Sequence, residues 1–124
     1  HPERNHGFQK EPDRLYDFIQ SGCLTQLTSS SYLGVFGKNV ETLTERIITS
    51  NEGFIFSSDA HNFKGRRFLM AEAFNKLSKE QDEKTAKLLN ENAKAIINGD
   101  SVSRLEIKKV SETRKKHRLW PFMN

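Results

Sequence analysis

"FIFSSDAHNFKGRR", residues 54–67, decides how this chain is read. Phe54-Ile55-Phe56 has the texture of a strand covered on both faces, the kind found in parallel sheets with helices packed on either side. The apolar run passes without a break into Asp59, His61 and the pair Arg66-Arg67. In such folds the carboxyl ends of the strands carry the chemistry. The stretch therefore predicts an α/β protein with metal-type ligands and guanidinium groups where a buried strand ends.

The flanking sequence supplies the frame. Pro12 at a first turn, the apolar positions Leu15, Phe18 and Ile19, and Gly22 as a stop predict a short amphipathic helix over 12–21. "CLTQLT" (23–28) reads as a strand, and "SSSYLGVFG" (29–37) as a loop crossing the top of the sheet. Val40, Leu43, Ile47 and Ile48 fall on one face of a helix over 38–50, with the next strand following Gly53. This is a strand, helix, strand unit, for which a right-handed crossover is expected. Beyond the ligand loop, Phe68, Ala71, Phe74 and Leu77 mark another helix. Ala86, Leu89, Ala93, Ile96 and Ile97 mark a further one, ended by Asn98-Gly99. Residues 1–100 thus read as one domain, and 101–124, where periodicity lapses, as a basic extension, flexible or weakly strand-forming.

A chain of 124 residues is about one domain. With 35% hydrophobic residues, no apolar run long enough to span a bilayer and no signal-like start, it is expected to be soluble and cytoplasmic. Cys23, the one cysteine, cannot form an internal disulfide and is expected as a small core residue in a reducing compartment. The net charge of +4 sits at one end: residues 1–100 hold 13 Lys/Arg against 14 Asp/Glu, and 101–124 hold 7 against 2. With no basic surface or aromatic-basic platform in the body, nucleic acid is excluded as a partner. The opening "HPER", with no Met before it, reads as a longer protein cut just ahead of a functional residue.

Asp59-x-His61 offers an oxygen and an imidazole donor suited to Mn, Fe or Zn. Alone, it is better explained by a solvated loop aspartate beside a structural histidine. His1 and Arg4 stand at the other end of the strand-helix-strand frame. A guanidinium fork holds phosphate at two points, so Arg4 and Arg66, with Arg67 as an alternative, point to phosphate-ester hydrolysis. Pairing of an arginine with a surface carboxylate such as Glu72 is the competing reading. A cysteine-based phosphatase is excluded, because its loop needs arginine six residues after the cysteine and Ser29 stands there.

"HPERN", "GCLTQLTSSSYLGVFGK", "FIFSSDAHNFKGRR" and "NENAKAIINGD", in that order from residue 1 to about 100, resemble the carboxyl-terminal half of a bacterial enzyme family. These are the manganese-dependent protein tyrosine phosphatases of capsule and exopolysaccharide operons, in the PHP (polymerase and histidinol phosphatase) superfamily. The resemblance implies part of a distorted seven-stranded (β/α) barrel whose amino-terminal half is missing. It implies hydrolysis of phosphotyrosine on proteins, notably on a membrane-associated tyrosine kinase. By position, His1, Asp59 and His61 resemble metal ligands, with Mn expected and Fe or Zn as substitutes, and Arg4 and Arg66 resemble catalytic, phosphate-contacting arginines. Family members also carry a His-x-His motif, which this chain lacks. Three ligands from two loops cannot hold more than one ion in a full shell, so this stretch alone is expected to be inactive and to self-associate through open strand edges. The competing expectations are another PHP phosphoesterase acting on a small ester such as histidinol phosphate, and a non-catalytic binding remnant. In the tail, Arg114, Lys115, Lys116 and Arg118 precede Leu119, Trp120 and Phe122, an order expected to anchor the protein at an anionic membrane surface or an acidic partner, with a disordered solubilising tail as the equally weighted alternative.

Overall fold

In the computed structural model, residues 1–113 are described, and two short parallel strands stand among six helices. In chain order the elements are α1 (His6–Lys10), α2 (Arg14–Gln20), β1 (Gln26–Thr28), α3 (Ser29–Tyr32), α4 (Lys38–Thr49), β2 (Ile55–Ser57), α5 (Met70–Glu80) and α6 (Glu83–Asn98). Three-residue 3₁₀ turns at Pro2–Arg4 and Val110–Glu112 lie near the two ends of the described chain. β1 pairs with β2 in parallel, Gln26 opposite Ile55 and Thr28 opposite Ser57.

The unit β1-α4-β2 follows from its apolar spacing. Val40, Leu43, Ile47 and Ile48 are all buried along one face of α4, as the period of a helix requires. Leu43, Ile47 and Ile48 meet Leu27 of β1 and Phe54 and Phe56 at β2 in a single core. Phe56 stacks on Tyr32 and meets Phe74 edge-on, each at 5.5 Å between ring centres. Full burial of a side chain of this size contributes about 2 kcal/mol, so these few residues carry much of the fold. Gly53 lets β2 come close: a Cβ there would stand 2.8 Å from Leu27 Cδ1.

Several expectations fail for identifiable reasons. The strand over 23–28 begins only at Gln26, because Cys23 N still bonds to the Phe18 carbonyl at 3.1 Å as the chain turns out of α2. Cys23 is consequently exposed and is not a core residue. The loop over 29–37 contains one helical turn, α3, whose four residues are all buried. α5 starts at Met70, so Phe68 lies outside it and is exposed, as is Ala71; the inward face is Ala73 and Leu77 with Met70 and Phe74. In α6 the inward positions are Leu89 and Asn92, while Ile96 and Ile97 run past the core into solvent. Gly99, at φ 72°, ends α6 as expected. Helix α1 is unforeseen; Asn5 caps it, its Oδ1 accepting from Gly7 N and Phe8 N at 2.9 and 3.2 Å.

Residues 101–113, read from the sequence as an extension, lie hydrogen-bonded against the body. They strap the body: Lys108 N donates to the Ser50 carbonyl at 2.9 Å, Asn51 Nδ2 to the Glu106 carbonyl at 2.8 Å and Arg46 Nη2 to the Val110 carbonyl at 2.9 Å. Val110 is fully buried. The proposed anchor in the tail, residues 114–122, lies outside the described residues. Among the described residues no helix is long and apolar enough to cross a membrane.

Candidate active site

Parallel pairing brings the carboxyl ends of β1 and β2, Thr28 and Ser57, side by side, and the site is assembled there. Pro2 opens the 3₁₀ turn that carries His1, Glu3 and Arg4 over the end of β1. Two bonds to Thr28 clamp this turn. The buried Glu3 carboxylate accepts from Thr28 N at 2.9 Å, and His1 Nδ1 lies 2.6 Å from Thr28 Oγ1. From the other strand, the chain leaves β2 and reaches Asp59, which sits in the left-handed region at φ 47°. A non-glycine residue held there marks a position that the surroundings determine.

Asp59 is the hub. Its Oδ2 accepts from Arg4 Nη1 at 2.8 Å and from Arg66 Nη2 at 2.5 Å. His1 Nε2 stands 3.8 Å from the same oxygen, and His61 Nδ1 stands 4.0 Å from Oδ1. The structure thus brings His1, Arg4, Asp59, His61 and Arg66 together from segments more than fifty residues apart. The hydrogen bond from Arg4, joined by Arg66 and by the charges of both, holds the Asp59 carboxyl below its usual range against a smaller desolvation cost. Arg66 therefore pairs with Asp59 and not with Glu72. Arg67 faces a neighbouring groove. Two guanidinium groups on one carboxylate leave a surplus of positive charge, which favours an anion with several oxygens.

Side chains that the sequence does not single out complete the arrangement. The Arg4 guanidinium lies 4.3 Å from the centre of the Phe36 ring, a cation–π contact that restrains it. Thr28 and Glu3 set the position of His1 and its turn. One oxygen of Glu3, Oε2, is buried without a hydrogen-bond partner among the described residues. Nothing in the sequence distinguishes these residues from ordinary loop and strand positions.

The donors suit a divalent ion in kind. Thr28 occupies Nδ1 of His1 and leaves Nε2 toward Asp59, the division of labour usual for a ligating imidazole. His61 Nδ1 lies 2.8 Å from its neighbour's carbonyl, Asp59 O, which leaves Nε2 for a ligand. In number they fall short: among the described residues no three His, Cys, Asp or Glu side chains form a group that could hold a metal. They fit as contributors to a metal centre, not as its full set of ligands.

The chain as a whole is similar to known proteins. Residues 1–98 match the family described as capsular polysaccharide synthesis, CpsB/CapC. The tyrosine-protein phosphatase YwqE of Bacillus subtilis (strain 168) is 36% identical over 104 residues, covering 84% of this chain and 41% of YwqE. CapC of Staphylococcus aureus, provisionally named a tyrosine-protein phosphatase, is 36% identical over 106 residues, with the same coverage of 84% and 41%. A chain from the crystal structures of YwqE from Bacillus subtilis and CpsB from Streptococcus pneumoniae, described as unique metal-dependent tyrosine phosphatases, superposes with a TM-score of 0.85. It is 34% identical, and the match covers 88% of this chain and 44% of that one. The present chain therefore spans less than half the length of the relatives it matches.

Proposed function

Since the chain belongs to the capsular polysaccharide synthesis family CpsB/CapC, we propose that it provides the phosphate-contacting part of a metal-dependent protein tyrosine phosphatase. One observation carries this reading: Arg4 and Arg66, from opposite ends of the β1-α4-β2 unit, meet on Asp59 at the carboxyl ends of the strands.

The two arginines bind the phosphoryl oxygens of phosphotyrosine and offset the charge that develops on them as the bond to the tyrosine oxygen breaks. Their forks are already spread and aimed by the shared carboxylate, so little reorganisation is needed when phosphate arrives. Phe36 keeps Arg4 from swinging away. His1, Asp59 and His61 would contribute donors to a divalent ion, manganese in this proposal with iron or zinc as substitutes, and further ligands would complete its coordination. When bound, that ion supplies Lewis acidity and lowers the pKa of water at the site. Thr28 keeps His1 in the tautomer and orientation that leave Nε2 available.

In the whole protein, residues 1–100 would form the carboxyl-terminal part of a distorted seven-stranded PHP barrel. The proposed setting is cytoplasmic, beside the membrane, with a membrane-associated tyrosine kinase of capsule or exopolysaccharide synthesis as the phosphoprotein substrate. The test compares a phosphotyrosyl peptide with histidinol phosphate as substrates of the full-length, manganese-loaded protein. Preferential turnover of the peptide, lost on Arg4→Ala, is expected. Preference for histidinol phosphate, or an Arg4→Ala variant as active as the wild type, contradicts the proposal.

A further inference from the structure

The loop that carries Arg66 holds two phenylalanine rings in solvent. Asn62 Oδ1 accepts from Lys64 N and Arg66 N, both at 3.0 Å. The backbone nitrogens of His61 and Asn62 both donate to the Arg66 carbonyl, at 2.9 and 3.3 Å. This turn is closed on itself by the asparagine side chain. Phe63, within it, is 99% exposed, and Phe68, just beyond it, is 69% exposed. Leu69, the next residue, is buried and fixes the far end of the loop.

Beside these rings runs an open groove lined by Ala60, His61, Phe63, Arg67, Phe68 and Glu72. His61 belongs both to this groove and to the Asp59 cluster. A molecule whose phosphate is held by Arg4 and Arg66, and which extends beyond one side chain, has this groove as its neighbour. The charge of the loop is one-sided: residues 60–69 contain Lys64, Arg66 and Arg67 and no carboxylate, and Glu72 is the one acid at the groove.

We infer that the 60–69 loop is a peptide-docking surface for the residues that flank the phosphotyrosine. Phe63 and Phe68 take an apolar flanking side chain, and Arg67, with Lys64 nearby, takes an acidic one. The inference rests on the tyrosine phosphatase reading above. An anionic membrane is the weaker candidate occupant, because the surface is a groove that shares His61 with the Asp59 cluster and has Glu72 in its wall. Aromatic anchors with a flanking cation are the side chains from which peptide-binding surfaces draw most of their affinity.

The experiment uses the full-length protein, a Phe63→Ala/Phe68→Ala double variant and Arg67→Glu. Each is assayed on a phosphotyrosyl peptide with leucine and glutamate flanks and on para-nitrophenyl phosphate. For the double variant, KM for the peptide should rise about tenfold, the effect of losing one aromatic anchor or more, with kcat and both constants for the small ester within about twofold. Arg67→Glu should raise KM selectively for peptides with acidic flanks. Equal losses on both substrates, or no change on either, overturn the inference. So does a fall in melting temperature or a change in oligomeric state in the double variant, which would mean that the rings are covered by the rest of the chain or by a second copy. Loss of binding to phosphatidylserine vesicles with peptide kinetics intact would assign the surface to a membrane instead. Wild-type protein that hydrolyses the small ester but not the peptide would sink the tyrosine phosphatase reading and this surface with it. Peptide hydrolysis with unchanged KM in the variants would sink the surface alone.

Discussion

The two ends of strand β2 carry one carboxylate each, and they are treated in opposite ways. Before the strand, Glu52 is fully buried, with no hydrogen-bond partner for either carboxyl oxygen among the described residues. Burial pushes its pKa from 4.5 up to about 7; the nearby Ser50 opposes this only in part, since its own hydroxyl donates to the Ile47 carbonyl at 2.9 Å, and the charge of Asp13 adds to the rise. Beyond the strand, Asp59 holds two guanidinium groups on a single oxygen, and its pKa is lowered. A buried carboxylate without a cation is relieved by taking a proton. One with two cations stays ionised and keeps them in place for another anion. The difference between the two carboxylates lies in their partners, not in the residue type. A third cluster, where Lys76 Nζ lies 3.1 Å from both Glu41 and Glu45 and donates to the Tyr32 carbonyl at 2.6 Å, reverses the signs and ties α3 to α4 and α5.

The contrast is broken most severely by Asp59→Ala in the full-length protein. Phosphotyrosine turnover should fall by about 10³-fold or more, roughly 4 kcal/mol of barrier, with the melting temperature little changed because a loop residue is removed. Glu52→Gln should leave turnover within about twofold. Steady-state kinetics with a phosphotyrosyl peptide distinguishes the two, and an Asp59→Ala enzyme of normal rate would remove Asp59 from the site.

Next in size is Arg66→Lys, which keeps the charge but not the planar two-point contact. A loss of about 10²-fold in kcat/KM is expected, roughly 2.7 kcal/mol. Arg67→Lys should be mild. Should Arg67→Lys prove the more damaging, the phosphate-contacting arginine has been misassigned by one position.

Glu52→Gln sharpens the comparison through stability. Between pH 4.5 and about 7 the folded chain holds a proton on Glu52 that the unfolded chain has released, so wild-type stability falls as pH rises through that window and stays lower above it. The variant should lack this fall and be more stable than wild type at about pH 8, by on the order of 3 kcal/mol. Asp59 has the opposite sign: its contribution is fully present above its ordinary value of 3.8 and is lost only as pH falls through its lower folded value. Urea unfolding across pH reads both; a wild-type curve that is flat between pH 4.5 and 7 would contradict the burial of an unpaired Glu52.

The smallest effect is expected from Thr28→Val, which deprives His1 Nδ1 of its partner. Metal affinity of the full-length protein should fall about tenfold, the usual cost of losing such a support, and Thr28→Ser should restore it. Unchanged metal affinity in the valine variant would mean that Thr28 does not orient a ligand.

These predictions draw unequally on the sequence. Helix α4 is legible because Val40, Leu43, Ile47 and Ile48 repeat at the helical period and all turn inward. The gathering of side chains on Asp59 is legible because histidine, aspartate and arginine stand together beyond an apolar run, a pattern that the strand geometry translates into proximity. Glu52 leaves no such trace, since nothing local separates a buried glutamate from a solvated one. The strap over 101–113 is equally silent: backbone groups of Lys108, Glu106 and Val110 hold it, and these bonds carry no side-chain periodicity. Ile96, Ile97 and Phe68 mislead in the other direction, because apolar residues at a plausible phase do not guarantee that the core extends as far as they do. In α6 the decisive inward residue is polar: Asn92 donates to the Phe54 carbonyl at 3.2 Å and accepts from Ser103 N at 3.1 Å, joining helix, strand and strap.

Titration of inorganic phosphate into the full-length protein is the most direct test of the central claim, that the arginines gathered on Asp59 form a phosphate site. Wild type and Glu52→Gln should bind with affinities within about twofold of each other, while Arg4→Ala and Arg66→Ala should each weaken binding about tenfold or more, as expected for a lost charge-assisted contact. Undiminished binding by either arginine variant, or a loss in Glu52→Gln as large as theirs, would contradict it.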